Sequence, residues 1–299
     1  MRGLLIAGVA ALAMAGQALA GEWKKLLEPA DLAALTAVEE LVIVDIRPAK
    51  HYERGSIEGA LNAPYGSWRG PKKNPGQVLG DAELTERMQS LGLDRADKVV
   101  VVYHGASDTD FGAAARVYWT LKSAGLSEIA ILNGGLVSWV RSGQALSTKL
   151  GTPERSDETF SLAADWMITR DEVRAVVDGQ SEAQIIDARP LDFLKGKRKH
   201  PAAKTAGTLK GADNVVQSTW FDKDNPRQVR SAEDVLRLAR EAGVEDGAAR
   251  PIASFCNTGH WAATNWFALS ELAGIDNVKL YPESMVGWTK ADQPVVTTE

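Results

Sequence analysis

The sequence has almost none of the residues that build covalent or metal cross-links. One cysteine, Cys256, stands among 299 residues beside four histidines. A single thiol excludes an internal disulfide, and with no histidine or cysteine in ligand spacing no metal centre is expected. Charge of one sign is lacking too. With 34 Lys+Arg against 39 Asp+Glu, the net charge of −5 leaves no chain-wide electrostatic footprint for nucleic acid or an anionic membrane surface. After the first twenty residues no long apolar run occurs, so no later membrane span is expected. What remains is a folded protein's composition, 44% hydrophobic and 24% charged, with length enough for two domains that each have a core.

Residues 1–20 carry one positive charge at Arg2, an apolar stretch from Leu4 to Met14, and Ala18-Leu19-Ala20 ahead of Gly21-Glu22. This is the pattern of a cleavable signal peptide, with an apolar run too short to span about 30 Å of hydrocarbon comfortably. The expected location is periplasmic or secreted. A lone cysteine in an exported protein is an inert core residue, half of an intermolecular bridge or a reactive group.

The remainder repeats itself. Val42-Ile43-Val44-Asp45-Ile46-Arg47-Pro48 recurs as Gln184-Ile185-Ile186-Asp187-Ala188-Arg189-Pro190, an apolar run ending in Asp-x-Arg-Pro. Gly59-Ala60-Leu61-Asn62 recurs as Gly211-Ala212-Asp213-Asn214, residues 98–103 match 251–255, and Ala113 to Gly125 match Ala262 to Gly274. Trp139 and Trp288 hold equivalent places in the last helices. Short β-branched runs alternating with helical-period stretches predict an α/β fold, in which each copy is a parallel sheet flanked by helices. Thr169 and Ser231 are expected N-caps, with Glu172 and Asp234 three residues on. Gly125, Gly243 and Gly274 lie where helices should stop.

Cys256 ends the apolar run Ile252-Ala253-Ser254-Phe255 and is followed by Asn257, Thr258, Gly259, His260 and Trp261 before a helix near Ala262. A strand, tight loop and helix start gather unpaired backbone N–H groups, which favour an anion. In such surroundings a thiol pKa falls from about 8.5 into the range of about 3.5–7.5. Gly259 supplies the freedom for positive φ that lets successive N–H groups converge. The alternative is a small buried hydrophobe at a strand end.

Asp-x-Arg on the first strand, Gly-Ala-x-Asn downstream and a second strand ending in a six-residue loop opened by cysteine resemble the rhodanese family, twice and over nearly all of the chain after residue 20. The resemblance implies two tandem rhodanese-like domains. A catalytically silent one covers residues 21–147, a linker runs over 148–159, and 160–299 form the domain that carries Cys256. It implies sulfur carried as a persulfide on Cys256, bound by the loop of Asn257, Thr258, Gly259, His260 and Trp261, with Asp187 and Arg189 in support and no cofactor. The implied partners are a small anionic donor such as thiosulfate or 3-mercaptopyruvate and an acceptor such as cyanide or a thiol.

The first copy departs from this pattern. After Tyr103 it reads His104-Gly105-Ala106-Ser107-Asp108-Thr109-Asp110-Phe111, expected as a longer loop without cysteine. The active loop departs as well: Asn257 and Thr258 stand where members with strong thiosulfate activity carry basic residues, and Phe193 stands near the place of a substrate-binding arginine. Between Arg189 and Gly211 an insertion holds Lys195, Lys197, Arg198, Lys199 and His200, either a solvated loop or an attractor of anionic donors and acidic partners. His260 either donates to a persulfide and tunes the thiol or simply caps and packs, while Trp261 walls the pocket or packs in the interior. Against the enzyme reading stand a sulfur carrier fed by a periplasmic partner protein and a purely structural tandem module. A cysteine phosphatase or arsenate reductase would need an arginine closing the loop, where Ala262, Ala263 and Thr264 follow.

Overall fold

The computed structural model describes residues 23–36 and 41–298, so the signal peptide expected over residues 1–20 lies outside the described residues. Strands β1 (Leu26–Leu27), β2 (Val42–Asp45), β3 (Leu61–Asn62), β4 (Val99–Val102) and β5 (Ile129–Leu132) form one sheet in the order β1-β5-β4-β2-β3. Strands β6 (Gln184–Asp187), β7 (Asp213–Asn214), β8 (Ile252–Phe255) and β9 (Val278–Leu280) form a second, ordered β7-β6-β8-β9. Every pairing in both is parallel. The central strands explain why. β4 is four consecutive valines, all buried, and β8 is buried along its whole length, as sheets covered on both faces require. No helix among the described residues is long and apolar enough to cross a membrane.

The duplication extends to single hydrogen bonds. The Trp139 indole donates to Ala145 O at 3.0 Å and Trp288 to Pro294 O at 2.8 Å. Ser56 bridges Ser147 as Thr208 bridges Val296, and Met167 bridges Leu280 beside β9 where β1 flanks β5. Thr169 and Ser231 accept from the N–H groups of Glu172 and Asp234, at the starts of the helices Arg170–Val177 and Ala232–Glu241. Beyond the first half the chain stays strapped to it: Gly151 N–H donates to Ala60 O, and Phe160 pairs through both backbone groups with the Thr85 hydroxyl.

The two halves share a large core cluster, and each keeps a smaller one of its own. The helix Asp108–Ser123 of the first packs on the helix Trp261–Trp266 of the second and on the π-helical segment Phe267–Leu272 that continues it. Phe111 and Tyr118 meet the Phe267 ring edge to face at 5.5 and 4.9 Å. Glu271, buried in the π-helical segment, accepts from the Tyr118 hydroxyl at 2.8 Å and from Lys122 at 2.6 Å. The active-looking loop therefore opens onto the first half rather than onto solvent alone.

One expectation is corrected here. The first copy has no longer loop: its helix begins at Asp108, five residues after Tyr103, as the second begins at Trp261, five after Cys256. The extra residues are an additional helical turn, favoured by Asp108 and Asp110 near the helix N-terminus.

Candidate active site

Cys256 directly follows β8 and is 1% exposed. Its N–H donates to the Ser284 hydroxyl at 3.0 Å, the Gly259 N–H donates to the same oxygen at 3.1 Å, and that hydroxyl donates in turn to Tyr281 O at 2.8 Å. One serine thus ties both ends of the loop. Ser284 does so with φ +49, a left-handed conformation in which an L residue costs about 1–2 kcal/mol. The first half keeps glycine at the matching place, Gly135, with φ +60.

The loop carbonyls are held one after another. Cys256 O and Asn257 O accept from the N–H groups of Met285 and Val286, Thr258 O from the Arg69 guanidinium, and Gly259 O from Arg116 at 3.4 Å. A planar trans peptide points its N–H opposite its C=O. In each of these four peptides the N–H therefore points away from the fastened carbonyl. Gly259 N–H goes to Ser284, while those of Asn257, Thr258 and His260 meet no acceptor among the described residues. Neighbouring backbone N–H groups without acceptors are the arrangement that binds anions elsewhere. Gly259 has φ +68, and a Cβ there would stand 2.5 Å from Pro282 O and 2.3 Å from Arg116 Nη1, so glycine is required by both conformation and space.

Asp187 and Arg189 are buried beside the loop. The guanidinium grips the carboxylate at 2.6 Å, donates to Gly207 O at 2.9 Å and reaches Asn257 Oδ1 at 3.4 Å. Asp45 and Arg47 repeat the first two contacts, the second to Gly55 O. The pair makes the same contacts in both halves, while the reach to Asn257 and the stacking of the guanidinium over the Phe193 and Phe255 rings at 5.4 and 5.8 Å belong to the second. In the first half Tyr103 takes the place of the cysteine: its carbonyl accepts from Leu136 N–H as that of Cys256 does from Met285. A side chain of its own, the carboxylate of Asp110, already accepts from the Ala106 N–H in that loop.

His260 is anchored at both ring nitrogens. Nε2 lies 2.8 Å from Thr109 O, which can only accept, so Nε2 carries the proton and Nδ1 accepts from the Tyr65 hydroxyl at 3.0 Å. The ring pins the loop to the first half. Burial foremost, then the nearby Arg69 guanidinium, lowers its pKa to about 4. Because that lies below the unfolded value of 6.5, the unfolded chain binds more protons in between, and stability present above pH 6.5 is lost as pH falls toward 4. The expected loss, at most about 3 kcal/mol, is read from urea unfolding across that window and should shrink in His260→Gln.

Trp261 is half-buried and meets the Phe193 ring at 6.1 Å, and the Arg198 guanidinium lies 5.0 Å from the same Phe193 ring. The basic insertion thus reaches the site: Lys197 and Arg198 are exposed, and His200 is partly buried close to Arg69. Sequence reasoning missed Ser284, Tyr65, Arg69 and Arg116. Only a serine aligned with a turn glycine gave a signal, since the other three lie more than 140 residues from the loop contacts they make.

The fold and this loop define a tandem protein with one thiol centre, and comparison with known proteins gives the class. The rhodanese-like domain family matches residues 28–142 and again 169–291. The thiosulfate sulfurtransferase of Azotobacter vinelandii is 30% identical over 90% of this chain and 96% of its own length. That of Pseudomonas aeruginosa is 29% identical with the same coverage. An anaerobic ergothioneine biosynthesis enzyme from Chlorobium limicola, solved with trimethyl histidine, superposes with a TM-score of 0.78 over 92% of this chain and 70% of its own; at 19% identity this likeness concerns the fold. The chain belongs to the rhodanese-like family.

Proposed function

We propose that the protein is a sulfurtransferase that moves sulfane sulfur from thiosulfate, or a similar small anionic donor such as 3-mercaptopyruvate, to a thiophilic acceptor through a persulfide on Cys256. The observation that carries this reading is the placement of the chain's one thiol at the opening of a loop whose carbonyls all have donors and whose N–H groups of Asn257, Thr258 and His260 meet no acceptor among the described residues. Membership of a family whose curated relatives are named thiosulfate sulfurtransferase supports it.

In the first step the Cys256 thiolate attacks the outer sulfur of thiosulfate. A new S–S bond forms, the bond to the sulfonate sulfur breaks, and its electron pair leaves with sulfite. The anionic persulfide rests against the loop N–H groups, which need no reorganisation to receive it. In the second step cyanide attacks the terminal sulfur, thiocyanate departs, and the thiolate returns. A thiol 1% exposed discriminates against bulky donors.

Initial rates of thiocyanate formation with thiosulfate and cyanide both varied test this scheme. Two half-reactions sharing one enzyme form predict parallel double-reciprocal lines. Intersecting lines would reject the persulfide intermediate, and loading without measurable turnover would support the carrier reading.

A further inference from the structure

The loop has no lysine or arginine of its own, yet two guanidinium groups reach it from the half without a cysteine. Arg116, 1% exposed on the helix Asp108–Ser123, donates to Gly259 O at 3.4 Å and Gly76 O at 3.1 Å and lies 5.0 Å from the Trp119 ring. Arg69, partly buried, donates to Thr258 O and stacks 4.9 Å over the Tyr65 ring. Neither has a carboxylate within 4 Å among the described residues. Two neighbouring cations, one fully buried and neither in an ion pair among the described residues, are costly unless an anion joins them. Burial, followed by the neighbouring Arg69, lowers the Arg116 pKa to about 10, and charge on Cys256 acts the other way.

We infer that the silent half is a working part of the site: Arg69 binds the anionic group of the sulfur donor at the loop mouth, and Arg116 is a positioning residue that holds the loop and balances the charge on the Cys256 sulfur. This rests on the sulfurtransferase reading for the donor, though not for the cation site itself. The geometry assigns the two roles. Arg116 is sealed between the halves and meets the loop through a backbone carbonyl. Arg69 is open enough to meet a ligand and lies near His200 of the basic insertion, which approaches the loop from the other side. The substrate class that fits is a small dianion or monoanion with acceptor oxygens, such as a sulfonate or carboxylate beside the sulfur, because a guanidinium fork matches such groups. The charge that relatives of this type were expected to carry inside the loop comes here from across the domain interface.

The test compares alkylation of Cys256 by anionic iodoacetate and neutral iodoacetamide in wild type, Arg69→Gln and Arg69→Lys, with the KM and kcat for thiosulfate measured alongside. Arg69→Gln should lower the iodoacetate-to-iodoacetamide rate ratio about tenfold and raise KM about tenfold, with kcat changed less, and Arg69→Lys should keep most of the ratio. Unchanged ratio and KM in a folded Arg69→Gln overturn the inference. If that variant loses its near-ultraviolet circular dichroism, the wild-type ratio decides: a fall between about 0.01 and about 0.5 M salt supports the cation site, and a flat ratio overturns it. A wild type that favours iodoacetate yet never takes sulfur from thiosulfate would reject the sulfurtransferase reading and leave the cation site standing.

Discussion

Cys256→Ser is expected to reduce thiocyanate formation by at least about 10⁴-fold while the protein stays folded. The size follows from the chemistry: a serine hydroxyl is a poor nucleophile toward sulfur at neutral pH and forms no persulfide, and the chain has no second thiol to substitute. The fold should tolerate the change because the replacement is nearly isosteric and the hydrogen bonds of residue 256 itself are made by its backbone. Cys256 O still accepts from Met285, and its N–H still donates to Ser284. A stability loss under about 2 kcal/mol, read from urea unfolding, separates loss of the nucleophile from loss of structure. Retention of even a hundredth of the activity would move the chemistry away from Cys256.

Ser284→Ala is expected to destabilise the protein by about 2–4 kcal/mol and to lower turnover with it. The hydroxyl is the acceptor for two buried N–H groups, those of Cys256 and Gly259, and alanine leaves both without a partner at the same left-handed φ. Ser284→Gly separates the two contributions. It relieves a backbone strain of about 1 kcal/mol yet loses the same hydrogen bonds, so it should be more stable than Ser284→Ala by roughly that amount and no more active. The comparison with Gly135 gives the reason to expect this. The first half adopts the same backbone with glycine and has no thiol loop to fasten, whereas the second keeps a side chain there despite the strain. Ser284→Ala with wild-type stability and turnover would show that the hydroxyl is incidental.

Much of this arrangement was legible in the sequence because it is local or repeated. The strand-loop-helix around Cys256, the caps at Thr169 and Ser231 and the positive φ of Gly259 all depend on residues within a few positions of one another. The two Asp-x-Arg pairs were legible by repetition, and Arg47 and Arg189 make matching contacts with Gly55 O and Gly207 O. The extra turn at Asp108 was misread as loop because Gly105, Ala106 and Ser107 carry turn chemistry up to the point where the helix starts. Arg69, Arg116 and Tyr65 were beyond reach for a different reason. Their meaning comes from how one half packs on the other, and no periodicity records that. The absence of cations inside the loop was visible, and its physical counterpart, two arginines without carboxylates on the facing domain, needed coordinates.

The central claim is that Cys256 accepts and holds a single sulfur. Its most direct test is the intact mass of wild type and Cys256→Ser after incubation with thiosulfate, and separately with 3-mercaptopyruvate, followed by removal of excess donor. The account predicts a gain of one sulfur atom in the wild type alone, discharged by cyanide. An equal gain in Cys256→Ser, or none in the wild type with either donor while the thiol also resists alkylation in the folded state, would contradict it and leave Cys256 as a buried structural residue.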